Sequence, residues 1–578
     1  MSEPSSDVAN ARRRLLLGAG ALAAAASVAT PSLAQSSPTR TRAMRSNARR
    51  FIRRSATPPS PPLAALALNH MGFGPRPGDI AAFNALGAND TARLTAYVDQ
   101  QLNPLAIVDS EVAARLSAAG FATLNKSRTQ LWTDHHASGP VWSDRIRPIV
   151  ETERATFIRA IYTKRQLFEL MAAFWHNHFN VYAWEFWIAP QWVYYDRDVI
   201  RANALGNFRT LLEQVAQSTA MLYYLDNYTS TAGGPNENFA RELFELHTLG
   251  AENYLGVMRQ QDVPLDGQGN PIGYVDDDVF EATRCFTGWT YADGNNPDDL
   301  DDGSFYYRAD WHDRFQKTVL GTFIPSNQGD LQDGMTVLDA LAAHPGTGRH
   351  IARKLCQRLI SDSPPETIVQ AAAAEFTASW QAPDQIARTL RVILLSNEFR
   401  TTFGEKIKRP FEHTVSAMRA VDADFPFLVD TGQGGDDVND SNGFFNRFDD
   451  AGQDLFSWRS PDGFPDLRED WESISPRVAS WRLLNWLVTV EADGNSLRLD
   501  AVGQTPAGVR SANALADFWI DRLLGYPMDS AERAEIVEFM AQGRNPDFDL
   551  PLDADDDTQE RLQAMVALIF MSPAFLWR

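Results

Sequence analysis

Three short stretches of this chain concentrate side chains that bind metals or move protons. The first is FWHNHF, residues 174–179, where His176 and His178 close an apolar run. Successive helical residues turn by about 100°, so the two imidazoles point about 200° apart unless the helix ends or distorts between them. His178 continues the apolar stripe of Leu167, Met171 and Phe174, whereas His176 leans to the other side. The second stretch is NENFARELFELHTLG, residues 236–250. Asn238, Glu242 and Glu245 share a helix face there, Glu237, Arg241 and Glu245 can form a charge ladder, and His247 lies near the end. Two glutamates and a histidine beside Phe239, Leu243 and Leu246 are costly to bury unpaired, so a cation or a matched set of donors must meet them. The third is Trp311-His312-Asp313, in which an adjacent carboxylate can orient the ring. His70 ends another apolar helix, where capping is an equally natural role.

From these residues we expect His176, His178, His247 and Glu242 to converge on a divalent transition metal, which imidazole and carboxylate ligands suit. Glu245, Asn238, Arg241, His312, Asp313 and Trp175 would then support the ligands or bind substrate, and an open metal position would activate water or polarise a substrate. Two further readings stay open. One is a buried structural network with Arg241 neutralising the glutamates, and the other is acid–base catalysis without a metal. No HExxH, GxSxG or phosphate-cradling glycine loop is present. Trp184, Trp187 and Trp192 with Tyr182, Tyr194 and Tyr195 form an aromatic stretch that reads first as core, and as a stacking surface if a cleft exposes it.

Positioning such residues requires a large helical scaffold. Apolar residues recur at helical spacing over 153–178, 192–225, 237–250, 275–288, 334–342, 346–361, 365–376, 384–397 and 408–421, and again over 476–492, 508–525, 530–542 and 557–571. Alternating patterns are scarce, so the expected fold class is all-α. The best strand is SFYYRADW (304–311), expected to pair near Val319. Gly- and Asp-rich segments at 291–303, 326–334 and 430–452 read as solvated loops. The 578 residues include 15 Trp, 33 Phe and 14 Tyr, enough for a core and for two lobes. Cys285 and Cys356 could pair, or remain as two core thiols.

Before this body stands a leader. Arg12-Arg13-Arg14, the apolar run that follows and Ser32-Leu33-Ala34 predict a twin-arginine signal over 1–34, a basic and Pro-rich linker over 35–62, and a helical domain over 63–578. The expected location is periplasmic or extracellular, with no membrane-spanning segment in the mature chain. A formal charge of −21 argues against nucleic acid as a partner.

Taken in order, FWHNHF, RANALGNFRTLLEQVAQSTAMLYYLDN (201–227), NENFARELFELHTLG, FTGW (286–289), WHDRFQKTVLG (311–321), AAHPGTGRHIARKLCQRLISDSPP (342–365) and SPDGFPDLREDW (460–471) resemble the bacterial domain-of-unknown-function family numbered 1800, from about residue 63 to 578. The 430–452 segment and Phe464, where a tryptophan is expected, depart from its pattern. The resemblance implies a large exported helical protein of unestablished activity. It also implies a functional partnership with an exported protein of the domain-of-unknown-function family numbered 1501, which is similar to alkaline-phosphatase-like proteins. The expected function is a metal-dependent enzyme, hydrolytic or oxidative, on an extracytoplasmic substrate. The alternative is a non-catalytic scaffold or escort for a partner protein.

Overall fold

A computed structural model of the chain describes residues 60–294, 300–432, 435–492 and 496–578. The leader and nearly all of the linker lie outside the described residues, and the described residues cluster as one compact unit. Within it the apolar-periodic runs fold as helices, with ends set by side-chain chemistry. Asn207, for example, accepts a hydrogen bond from the Thr210 amide at 3.0 Å and so starts helix Phe208–Gln217.

The predicted helix over 153–178 is two helices, α1 (Trp142–Tyr162) and α2 (Gln166–His178). Polar side chains cause the break. Gln166 Nε2 donates to the carbonyls of Ala160 and Thr163, each at 3.0 Å, and the Arg165 amide donates to Thr163 Oγ1 at 2.9 Å. These bonds offer the backbone a substitute for continued helix. The predicted 237–250 helix is α3 (Asn238–Glu242) followed by a wide π turn, Leu243–His247. Two later helices flank the site described below: α4 (Pro345–Leu359) and α5 (Pro410–Ala420).

The 430–452 segment is not simply a loop, since α6 (Asp436–Asp449) occupies most of it. Ser441, Phe444, Phe445 and Phe448 recur at helical spacing and bury one face. Those phenylalanines complete an aromatic cluster around Phe157, whose ring centroid lies 5.0 Å from those of Phe411, Phe444 and Phe448. The cluster joins α1, α5 and α6.

Strands are few. β1 (Trp289–Asp293) pairs antiparallel with β2 (Asp301–Tyr307), and β3 (Lys317–Val319) with β4 (Thr322–Ile324). A third pair, β5 (Glu491–Ala492) and β6 (Ser496–Leu497), is shorter still. The strand expected at 304–311 therefore begins earlier, and its partner is Trp289–Asp293 rather than the segment near Val319. Val319 is taken by its own hairpin. The fold is mainly helical. Among the described residues no helix is long and apolar enough to cross a membrane. Cys285 and Cys356 are buried free thiols, and burial pushes Cys356 up to about 12.

One charge cluster ties these elements together. Glu412 of α5 is buried and pairs with Arg358 of α4, with Arg578 at 2.8 Å and with Arg409 at 3.5 Å. Arg578 Nη2 also donates to the His70 carbonyl at 2.9 Å. Burial alone would raise the Glu412 carboxyl, but the three guanidinium groups hold it well below the usual range. Removing one member of such a buried set leaves uncompensated charge. Glu412→Gln should therefore cost about 3–5 kcal/mol, read as a lowered denaturant midpoint, and a midpoint equal to wild type would refute the cluster's structural role.

Candidate functional site

Helix α2 divides the predicted histidines. Glu169, Ala172, Ala173 and His176 recur at i, i+3, i+4 and i+7 and line one wall of a cleft. Leu167, Met171, Phe174 and His178 lie on the opposite, buried side. Because α2 runs without distortion to His178, the 200° divergence expected for a regular helix is what the structure has.

In the cleft, His176 Nε2 lies 2.9 Å from Asp196 Oδ1. A carboxylate accepts, so Nε2 carries the hydrogen and Nδ1 keeps its lone pair in the neutral ring. That Nδ1 is buried and has no partner. Asp196 lies on a wide π turn, Tyr195–Arg201, whose i→i+5 bonding brings Asp196 and Arg201 to the same wall. Arg201 Nη2 binds Glu169 Oε1 at 2.5 Å, and Arg159 of α1 reaches Asp196 Oδ2 at 3.6 Å. Burial would raise the Asp196 carboxyl, but the His176 hydrogen bond and the two arginines bring it down to about 2. It is ionised at any ordinary pH.

The facing walls are aromatic. Phe73 and Phe411 belong to the floor, and Trp192, Phe456 and Phe464 close the sides. The His176 ring centroid sits 5.0 Å from Phe456 and 5.6 Å from Trp192. Phe456 and Phe464 come from the loop after α6, which Asn177 of the histidine motif and Asn180 just after it hold in place. Asn177 Nδ2 donates to the Phe464 carbonyl at 2.9 Å, and its Oδ1 accepts from the Phe464 amide at 2.8 Å. Asn180 Nδ2 donates to the carbonyls of Trp458 and Ser460 at 3.0 and 2.7 Å. Gly463 allows the approach: its φ is 76°, and a Cβ there would stand 2.2 Å from the Asn177 carbonyl oxygen. Phe456 itself adopts φ 62°, a left-handed conformation rare for a bulky residue and found where loops are over-determined.

The other predicted residues form separate groups. His178 Nε2 donates to the His247 carbonyl at 3.1 Å, and the His178 ring centroid lies 6.2 Å from His247 and 6.3 Å from His350. His178 Nδ1 and both His247 nitrogens are buried without partners. Glu242 is partly buried, and its carboxyl is raised by burial and by Glu245 beside it. Arg241 meets Glu237 at 3.3 Å and Asp276 at 3.6 Å, and the Asn238 amide donates to Asn236 Oδ1 at 3.0 Å. His312 Nε2 lies 3.2 Å from Asp333, which also binds the buried Lys317 at 2.7 Å, while Asp313 binds Arg284 at 2.8 Å. Trp175 is core, with its Nε1 donating to the Ala204 carbonyl at 2.9 Å. His70 is likewise buried, with Nδ1 donating to the Leu359 carbonyl at 2.9 Å.

The structure thus does not bring His176, His178, His247 and Glu242 into one set. Among the described residues no three His, Cys, Asp or Glu side chains form a group that could hold a metal ion. Asp196, Glu169, Arg201, Arg409, Asn177 and Asn180 are the cleft residues that sequence reasoning missed. The signal available was for Glu169 alone, in the Glu169–Ala172–Ala173–His176 stripe, a polar and small-residue face on an otherwise apolar helix.

Fold and cleft together define a mainly helical protein with a charged, aromatic-walled pocket. Residues 66–577 match the family described as "Protein of unknown function (DUF1800)", and the chain belongs to that family. No curated protein and no solved structure matches it.

The buried histidines set a pH dependence. Burial first, and Lys354 and His350 second, lower His247 to about 3, and burial likewise lowers His70 and His413 to about 3. An unfolded imidazole protonates near pH 6.5. Between those values the unfolded chain binds more protons, so stability is full above pH 6.5 and drains as pH falls toward 3. Thermal melts from pH 7 to 4 should show a falling midpoint, with a shallower fall in His247→Gln. An identical slope in that variant would remove His247 from the account.

Proposed function

We propose that this chain is an exported enzyme that binds a small organic molecule in the cleft and moves a proton through His176. The single observation that carries the reading is the unpartnered Nδ1 of His176 in a ring whose other nitrogen is tied to the ionised Asp196. A base must be oriented and must have somewhere to send its charge. Asp196 does both: it fixes the tautomer that leaves Nδ1 free, and it stabilises the imidazolium formed when Nδ1 takes a proton. Arg159, Arg201 and Glu169 keep Asp196 ionised and in place. The aromatic walls exclude water and supply apolar surface to the body of the ligand.

Export rests on the arginines and apolar run of the leader, Arg12 to about residue 28. The metal-dependent reading has no assembled donor set among the described residues, and no step here is routed through a metal. The overall charge of −21 supports leaving nucleic acid out. One feature favours the escort reading beside the enzymatic one. Val257 (87% exposed) and Leu265 (62%), in the segment whose Gln260 donates to the Thr318 carbonyl of β3, and Phe323 (60%) of β4 itself present exposed apolar side chains. Such a surface suits a protein partner, and an exported protein of the family numbered 1501 is the candidate.

The acid–base reading is tested by incubating wild type and His176→Gln with small-molecule extracts and following every component by mass spectrometry. Wild type should convert at least one component, and the variant should be about 10²–10⁴-fold slower. Ala173→Phe, which fills the cleft, should abolish the conversion with melting behaviour preserved. Equal conversion by all three proteins would sink the proposal.

A further inference from the structure

Three residues that line the cleft each carry a buried polar atom without a partner: Nδ1 of His176, Nε1 of Trp192 and Nε of Arg409. Trp192 and Arg409 are more than nine-tenths buried. Buried polar atoms without partners are uncommon and costly, and an acceptor and two donors on residues around one cavity point to a ligand that supplies what they lack. Trp Nε1 and Arg Nε can only donate, so the ligand must bring acceptors.

Charge narrows the choice. On the α2 wall, Arg159 and Arg201 are matched by Asp196 and Glu169. On the Arg409 wall, three guanidinium groups, Arg358, Arg409 and Arg578, share two carboxylates, Glu412 and Asp466. Arg409 has the weaker part of that sharing. Its contacts to Glu412 and Asp466 are 3.5 and 3.4 Å, whereas Arg578 reaches Glu412 at 2.8 Å. Arg409 is therefore loosely held by its acids beside the cavity, and its Nε–H has no partner. A desolvated guanidinium recognises a carboxylate by charge-assisted hydrogen bonds, and the surrounding Phe411, Phe456 and Phe464 suit an apolar body.

We infer that the cleft takes a small carboxylate with an apolar or aromatic body, its carboxylate on Arg409 and its other end beside Trp192 and His176. This rests on the cleft reading above and deepens it by naming the ligand class. Arg409 acts here as a specificity-determining residue, while the proton-moving role stays with His176.

The test uses three probes of one shape, 3-phenylpropanoate, 3-phenylpropanol and 3-phenylpropylamine, with binding measured by ligand-observed NMR and calorimetry on the whole chain. The carboxylate should bind at least about tenfold more tightly than the alcohol, and the amine most weakly. In Arg409→Gln the carboxylate's advantage should vanish while the alcohol binds as before. Should that variant fail to fold, the carboxylate-to-alcohol ratio on wild type decides alone. Equal binding of the two, or a preference for the amine, overturns the ligand class but leaves the cleft as a binding site. Absence of binding by all three at millimolar concentration overturns the cleft reading itself.

Discussion

A charged group inside a helical body must be met by another, and Glu412 is where this chain satisfies that demand most densely. Its carboxylate draws Arg358 from α4, Arg409 from the start of α5 and Arg578 from far along the sequence to one buried point. Burial first, and the neighbouring Arg578 and Arg409 after it, pull the Arg358 guanidinium down to about 9 despite Glu412 beside it. Pairs at this depth add little net stability over well-packed apolar residues, yet none of their members can leave alone. The consequence is positional. The cluster fixes where α5 begins, and Arg409, one residue before α5, is thereby set against the cleft with part of its guanidinium left over.

The same economy of partners separates the two histidines of the 174–179 motif. On an undistorted helix they cannot share a site, and each has been given a different environment. His178 enters an apolar niche with His247, where burial keeps it neutral. His176 enters a cleft with an ionised carboxylate. Asn177 of the motif and Asn180 just after it then bind the loop carrying Phe456 and Phe464, so one short stretch provides both the cleft imidazole and the anchor of the wall opposite it. Ala172 and Ala173 leave the room between them.

Much of the scaffold was legible beforehand, because helix periodicity depends on residues close in sequence. The helices Asp276–Cys285, Pro345–Leu359 and Asp556–Met571 fall within a few residues of their expected spans. Composition misled at 436–449, where glycines and aspartates masked a buried phenylalanine stripe. The strand pairing was misjudged because a register depends on distant partners, and β2 found Trp289–Asp293. The site was only half readable. His176 could be named from its residue type, but its partner Asp196, twenty residues on, is an ordinary aspartate until a π turn aims it at the ring. Arg409 carries no sequence signal at all, since what sets it apart is that the acids around it leave its guanidinium incompletely paired.

Rigidity connects these features to function. A ring held for proton transfer must not relax toward the nearest alternative acceptor, and a donor left unsatisfied must not be able to swing away and find water. Phe157 and its partners in α5 and α6 form a floor of interlocked rings beneath the cleft, with centroids mostly 5.0–5.6 Å apart. Against that floor Phe456 is kept at a positive φ, its carbonyl accepting the Ala183 amide at 3.0 Å. Neither the strained backbone nor the unpaired Nδ1 of His176 contributes stability, so both persist at the expense of the surrounding packing. When a fold keeps two such costs in contact around one cavity, the ligand that would offset them is the most economical reason for the arrangement.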